Sequence, residues 1–166
     1  MKPFLYFIGG CEFVYTIYQL KSYPDKYFDF DYADSFEGMG QIDKGLLAYL
    51  SIGVNDSLKD AQFTADKLAS LRIFADKAGK MNLSVIDTGG SILLVSNFTL
   101  HGDCRKGRRP GFDAAAKPQL ARQLYEKVIE LIAANGVNVQ TGIFAEQMQV
   151  SSINDGPITF LLDTSQ

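Results

Sequence analysis

Along the 166 residues, short apolar runs with no polar face give way to stretches whose apolar positions recur every three or four residues. FLYFI (residues 4–8), the pair Gly9-Gly10 and then CEFVYTIYQL read as two strands and a tight turn, because paired glycines accept the positive φ of hairpin turns. Tyr23-Pro24-Asp25 marks a turn, and residues 26–37 mix Asp with Tyr and Phe as an acidic surface excursion. GLLAYLSIGV (45–54) is nearly continuous in apolar side chains, the pattern of a strand buried on both faces. Asn55-Asp56-Ser57 then offers capping side chains to a helix whose Leu58, Ala61, Ala65, Leu68 and Leu71 share one face.

Residues 80–85 and 91–100 read as strands joined by a hairpin-like turn at Asp87-Thr88-Gly89-Gly90. The clearest helix starts at Pro118, keeps its apolar spacing through Leu120, Leu124, Val128 and Leu131, and stops at Gly136. Strands over 137–144 and 148–153 follow, then a turn at Asn154-Asp155-Gly156-Pro157 and a last strand over 158–162. Strands outnumber helices and several are joined by short turns. The expected fold is therefore a single α/β domain of largely antiparallel sheet with two to three helices.

Composition narrows the function classes. With 46% hydrophobic and 21% charged residues the chain is an ordinary globular one, which speaks against disorder and coiled coil. No apolar run approaches the roughly 20 residues of a membrane helix. The opening MKPFLYFIGGC loosely mimics a lipoprotein signal, but its five-residue apolar core is short of the roughly 7–15 such a signal carries, so a strand is expected there. Cys11 and Cys104 stand far apart, and one histidine, His101, leaves little room for a zinc site or a Ser-His-Asp triad. A metal or cofactor is not expected, and a reducing, cytoplasmic setting is. Residues 1–40 hold 12 of the 20 aromatics, no arginine, and three basic against six acidic residues, so they account for the whole net charge of −3.

Against that acidity, SNFTLHGDCRKGRRPGF (96–112) places Arg105, Lys106, Arg108 and Arg109 within five residues. Such a cluster either tracks phosphates or forms a solvated loop, and Gly107 and Pro110 give it more shape than a random basic run. Ser96, Asn97, Phe98 and Thr99 follow the apolar run Ile92-Leu93-Leu94-Val95, where polar groups at a strand end either line a cleft or simply emerge into solvent. A Ser or Thr nucleophile needs a neighbouring base, and only His101 is evident, so proton transfer in any hydrolysis would fall to substrate or water. Gly156-Pro157 marks either an ordinary turn or a bond at which cis is cheap, by about 0.5–1 kcal/mol against trans.

Three stretches in order, LASLRIFADKAGKMNLSVIDTGGSILLVSNFTL, DCRKGRRPGF and VQTGIFAEQMQVSSINDGPITFLLD, resemble the D-aminoacyl-tRNA deacylase family from about residue 40 to 163. The resemblance implies a barrel-like sheet and a homodimer with active sites at the interface. It implies hydrolysis of D-aminoacyl and glycyl esters of tRNA, a chiral proofreading step in translation, with no membrane or DNA partner. The family's pocket motif falls on Ser96, Asn97, Phe98 and Thr99, with Phe144, Met148 and Asn154 as further pocket residues. Its Gly-cis-Pro motif falls on Gly156 and Pro157 and rejects L side chains with main-chain carbonyls. The proposed chemistry is attack by water, assisted by the tRNA's terminal 2′-hydroxyl. On this reading Arg105, Lys106, Arg108 and Arg109 hold the acceptor end.

Three departures stand out. Asn97 replaces the family's Gln, one methylene shorter. Phe144-Ala145-Glu146 replaces its Phe-Gly-Ala. Residues 1–37 do not align with the family's opening, and no arginine precedes Arg72. The alternative is a tRNA-binding relative with weakened catalysis. The expected organisation is one deacylase domain over 1–166, divergent at 1–37 and family-like at 40–163.

Overall fold

The computed structural model describes residues 13–20 and 40–164. Its elements are β1 (Phe13–Leu20), β2 (Gly45–Ile52), α1 (Leu58–Ser70), β3 (Phe74–Ala75), β4 (Met81–Leu83), β5 (Ser91–Ser96), α2 (Pro118–Ala134), β6 (Asn138–Thr141) and β7 (Asn154–Leu162), with a 3-10 turn at Phe98–His101. The expected strand at 4–8, the Gly9-Gly10 and Tyr23-Pro24-Asp25 turns and the 26–37 excursion lie outside the described residues.

Five strands form one sheet in the order β6-β5-β2-β1-β7, and β3 pairs with β4 in a separate two-stranded ribbon. The sheet is mixed: β1 runs antiparallel to β2 and β7, whereas β5 runs parallel to β2 and β6. Parallel neighbours need a crossover. Residues 53–90, with α1 and the ribbon, supply the one from β2 to β5, and α2 lies between β5 and β6. This overturns the hairpin expected between residues 80–85 and 91–100. The Asp87–Gly90 turn is real, but β4 leaves it toward β3 while β5 enters the sheet beside β2. Turn chemistry marked the bend and said nothing of which edge each strand would meet.

The helices cover one face. Leu46, Ala48, Leu50, Ile52, Ile92 and Leu94 of the sheet share a buried cluster with Ala61, Ala65, Leu68 and Ala69 of α1 and Leu124, Val128 and Ile132 of α2. The small residues on α1 let it approach α2 closely. Ser57 caps α1 as expected, its N–H and hydroxyl both donating to Asp60 Oδ2 at 2.9 and 2.7 Å. Leu58, expected on the buried face, is 65% exposed in the helix's first turn. Pro118 opens α2 and Gly136, at φ +82°, follows its end, as the sequence suggested. The phenol of the buried Tyr125 donates to the Leu94 carbonyl at 2.7 Å, and burial pushes its ionisation far up.

The opposite face is covered by chain without regular structure. Leu47 and Val95 are buried beneath Ile42, Met148 and Val150, with Tyr49 and Leu93 beside them. Since β6 and β7 are the two ends of the sheet order, the connection 142–153 passes from one edge to the other. Met148 and Val150 alternate like strand residues, which is why 148–153 read as a strand, yet that stretch forms no strand among the described residues and serves as a cover. The strand expected over 137–144 is shorter, ending at Thr141. The strand expected over 91–100 ends at Ser96.

Asn154-Asp155-Gly156-Pro157, expected as a turn ahead of the last strand, lies inside β7. Tyr18 pairs with Thr159 and Leu20 with Asn154, so three extra residues of β7 bulge against β1. Proline lacks the N–H a ladder needs, and a bulge is where a strand can carry one. The side chains of Gly156 and Pro157 lie outside the described residues.

Ala145 is a non-glycine residue at positive φ, +63°. A Cβ in that region costs on the order of 1–2 kcal/mol, more than the entropy a glycine loses on folding. Ala145→Gly should therefore stabilise the fold by about 0.5–1 kcal/mol, read as a rise in denaturation midpoint at unchanged m value. Tyr125→Phe should cost about 1 kcal/mol in the same titration, because it removes the buried bond to Leu94 and keeps the ring.

Candidate functional site

The site begins where β5 runs out. Leu50 of β2 pairs with Ser96, and the Leu50 carbonyl then accepts from Asn97 N–H at 2.8 Å, one residue beyond the strand. Asn97 leaves the extended conformation and caps the Phe98–His101 turn. Its Oδ1 accepts from Thr99 N–H at 3.2 Å and from the Thr99 hydroxyl at 2.5 Å. The Asn97 side chain is thus folded back into its own turn. Asn competes with regular structure through such local bonds, which explains why the expected strand stops here.

Ser96 and Asn97 are half-buried, while Phe98 and Thr99 are exposed. Phe98 meets Phe112 edge-on, with ring centroids 5.0 Å apart at 66°. Gly102 lets the chain double back there: a Cβ on it would lie 3.0 Å from the Thr99 carbonyl oxygen and 3.2 Å from the Phe112 ring. His101 is buried, and its Nδ1 shares a hydrogen bond with the buried Ser51 hydroxyl.

The basic loop starts two residues later. Asp103 and Gly111 exchange both backbone hydrogen bonds, at 2.8 and 2.9 Å, and so close residues 104–110 into a protruding loop with Gly107 at φ +74°. Its four cations are not equivalent. Arg105 donates through Nε and Nη2 to the two carboxylate oxygens of Asp103 at 2.8 and 2.7 Å, and Asp103 also accepts from Arg105 N–H. These bonds from Arg105 hold the Asp103 carboxyl well below the usual carboxylate range. A depressed carboxyl keeps its pairing at neutral pH and loses it only as pH falls through the lowered folded-state value. Lys106, Arg108 and Arg109 are exposed and make no ion pair among the described residues. The net charge presented outward is therefore that of three cations, with Arg105 serving to shape the loop.

The remaining pocket candidates divide between the two faces. Phe144 packs on the helix side, 5.5 Å from the Tyr125 ring and 5.6 Å from the Arg122 guanidinium. Met148 packs on the opposite face against the cluster of Leu47 and Val95, over Gly142. Asn154 opens β7, where its Nδ2 donates to Thr159 Oγ1 at 3.2 Å while its buried Oδ1 has no partner among the described residues. Phe144 is thus separated from Met148 by the sheet itself. Sequence reading missed Ser51 and the pairing of Asp103. The signals were present: a serine inside an otherwise apolar run, and an Asp two residues before an Arg at a turn. No group of three or more His, Cys, Asp or Glu able to hold a metal ion occurs among the described residues, nor any helix long and apolar enough to cross a membrane.

A family model described as D-Tyr-tRNA(Tyr) deacylase matches residues 34–163. The D-aminoacyl-tRNA deacylase of Fervidobacterium nodosum is 53% identical over 128 residues, covering 77% of this chain and 86% of that protein. The one from Thermotoga petrophila is 49% identical over the same length, with the same shares covered. Among solved structures, a c-Myc DNA Unwinding Element Binding Protein matches with a TM-score of 0.73 at 26% identity, covering 91% of this chain and 98% of that one. A probable eukaryotic D-amino acid tRNA deacylase matches with a TM-score of 0.71 at 15% identity, covering 92% and 100%, a likeness of fold alone. With its polar turn, its basic loop and its bulged last strand all inside the matched residues, the chain belongs to the D-Tyr-tRNA(Tyr) deacylase family.

Proposed function

We propose that the protein hydrolyses the ester of D-aminoacyl-tRNA, and of glycyl-tRNA, as a cytoplasmic proofreading enzyme. The observation that carries this reading is the match to a deacylase family over residues 34–163, a span that holds both the Ser96–Thr99 segment and the basic loop. The juxtaposition suits a substrate whose reactive ester is attached to a polyanion. Lys106, Arg108 and Arg109 supply sequence-independent attraction for phosphates, and the polar turn a few residues upstream receives the esterified end.

In the reaction, a water oxygen bonds to the ester carbonyl carbon, the bond from that carbon to the ribose oxygen breaks, and the water's proton ends on the ribose oxygen. The products are the free amino acid and tRNA with its terminal hydroxyls restored. The neighbouring 2′-hydroxyl of the same ribose assists, which suits a turn that has hydroxyls and an amide but no triad. On this reading Ser96, Asn97, Phe98 and Thr99 line the site. Phe144 braces the connection from the helix side, and Met148 and Asn154 border the pocket. Main-chain carbonyls at Gly156 and Pro157 exclude L side chains, and a second copy of the chain completes each site. Exclusion by main chain needs no chemistry of its own, since it raises the energy of the wrong substrate alone.

Release of labelled amino acid from D-Tyr-tRNA, L-Tyr-tRNA and Gly-tRNA, side by side with EDTA present, tests the reading. The D and glycyl substrates should be cleared faster than the L substrate by about a hundredfold or more. Release of all three alike would remove the chiral role, and retention of tRNA on filters without any release would make the protein a binding relative. Reversal of Arg108 and Arg109 to Glu should weaken tRNA binding and lower the slope of log K against log salt by about 2, as expected for two lost phosphate contacts. Unchanged turnover of limiting charged tRNA would remove the loop from the binding surface.

A further inference from the structure

The turn that carries Asn97 and Thr99 is fastened at its two ends to two adjacent residues of β2. At its start, Asn97 N–H donates to the Leu50 carbonyl at 2.8 Å. At its end, the His101 ring shares a hydrogen bond with the hydroxyl of Ser51. Ser51 and His101 are 1% and 7% exposed. Ser51 alternates with Leu47 and Tyr49, so its side chain stands on the sheet face away from the helices. Between the two anchors the turn is closed internally: Leu100 N–H donates to the Asn97 carbonyl at 3.3 Å and Gly102 N–H to the Thr99 carbonyl at 3.0 Å.

We propose that His101 is a positioning residue, which acts through Ser51 to hold the Asn97–Thr99 turn at the angle hydrolysis requires. The proposal rests on the deacylase reading above. An apolar pair at 51 and 101 would fill the same space. A hydrogen bond away from water adds direction as well, because it weakens steeply as donor and acceptor fall out of line. The phosphate-binding cations do not depend on this anchor, since residues 104–110 are closed by their own Asp103–Gly111 bridge. A fault at His101 therefore reaches catalysis before it reaches tRNA binding.

Side-chain amides allow a test by shape. Asn places a polar atom close to where imidazole holds Nδ1, and Gln places one closer to where it holds Nε2. With D-Tyr-tRNA, His101→Asn should keep kcat within about threefold of the unaltered protein, whereas His101→Gln and Ser51→Ala should each lose about tenfold in kcat with KM within about twofold. Amide hydrogen exchange supplies a readout independent of activity. In His101→Gln the amides of residues 97–102 should exchange faster while those of α2 keep their protection.

Equal activity of the Asn and Gln variants, a loss confined to KM, or faster exchange throughout the domain would each overturn the role. If the unaltered protein leaves D-Tyr-tRNA intact, the deacylase reading fails and this role fails with it. If it is active and the Gln variant matches it, only the role fails.

Discussion

The structure turns on the pairing of β5 with β2 in parallel. Because the neighbours run the same way, the chain must cross over before each addition to that side of the sheet, and α1 and α2 share the face those crossovers cover. The pairing also brings the C-terminal end of β5 beside the last residues of β2. Leu50 takes the first hydrogen bond beyond the strand, and Ser51 takes the bond at the far end of the following turn. The polar residues of the candidate site therefore stand on a turn whose two ends are bound to a strand buried along almost its whole length. A shift in that register would move every one of them.

Burial on the second face follows from the same order. The chain leaves β6 at one edge and rejoins the sheet as β7 at the other, so it must traverse the face the helices leave open. Met148 and Val150 make that traverse a cover for Leu47 and Val95. The traverse then delivers the chain to the bulged strand that contains Gly156 and Pro157. Ala145 sits just after the departure from β6 and holds positive φ without glycine's freedom, a local strain at an exposed position.

The electrostatics answer a question the composition raises. An acidic chain carries a compact basic loop, and one of its four cations is committed to Asp103. That ion pair is exposed and adds little to stability. Its two-point geometry instead fixes the base of a loop that would otherwise be spread by the repulsion of like charges. The exposed Lys106, Arg108 and Arg109 are then presented together, close to the polar turn.

Local chemistry made several features legible in advance. The continuous apolar run of β2 announced a doubly covered strand, Ser57 and Pro118 marked the starts of α1 and α2, and Gly136 marked the end of α2. The residues of the polar turn and of the basic loop were likewise visible, as was the family resemblance they carry. These depend on residue types within a few positions of one another, which a sequence displays directly. The structure alone decided the partners: that β4 turns to β3 and β5 to β2, that 148–153 covers a face instead of pairing, and that the Asn154–Pro157 stretch belongs inside a strand. It also decided that Phe144 and Met148 stand on opposite sides of the sheet and that His101 is buried on Ser51. Each of these is set by long-range pairing and by competition among surfaces for burial, and alternation or charge within a short window carries no information about which distant surface wins.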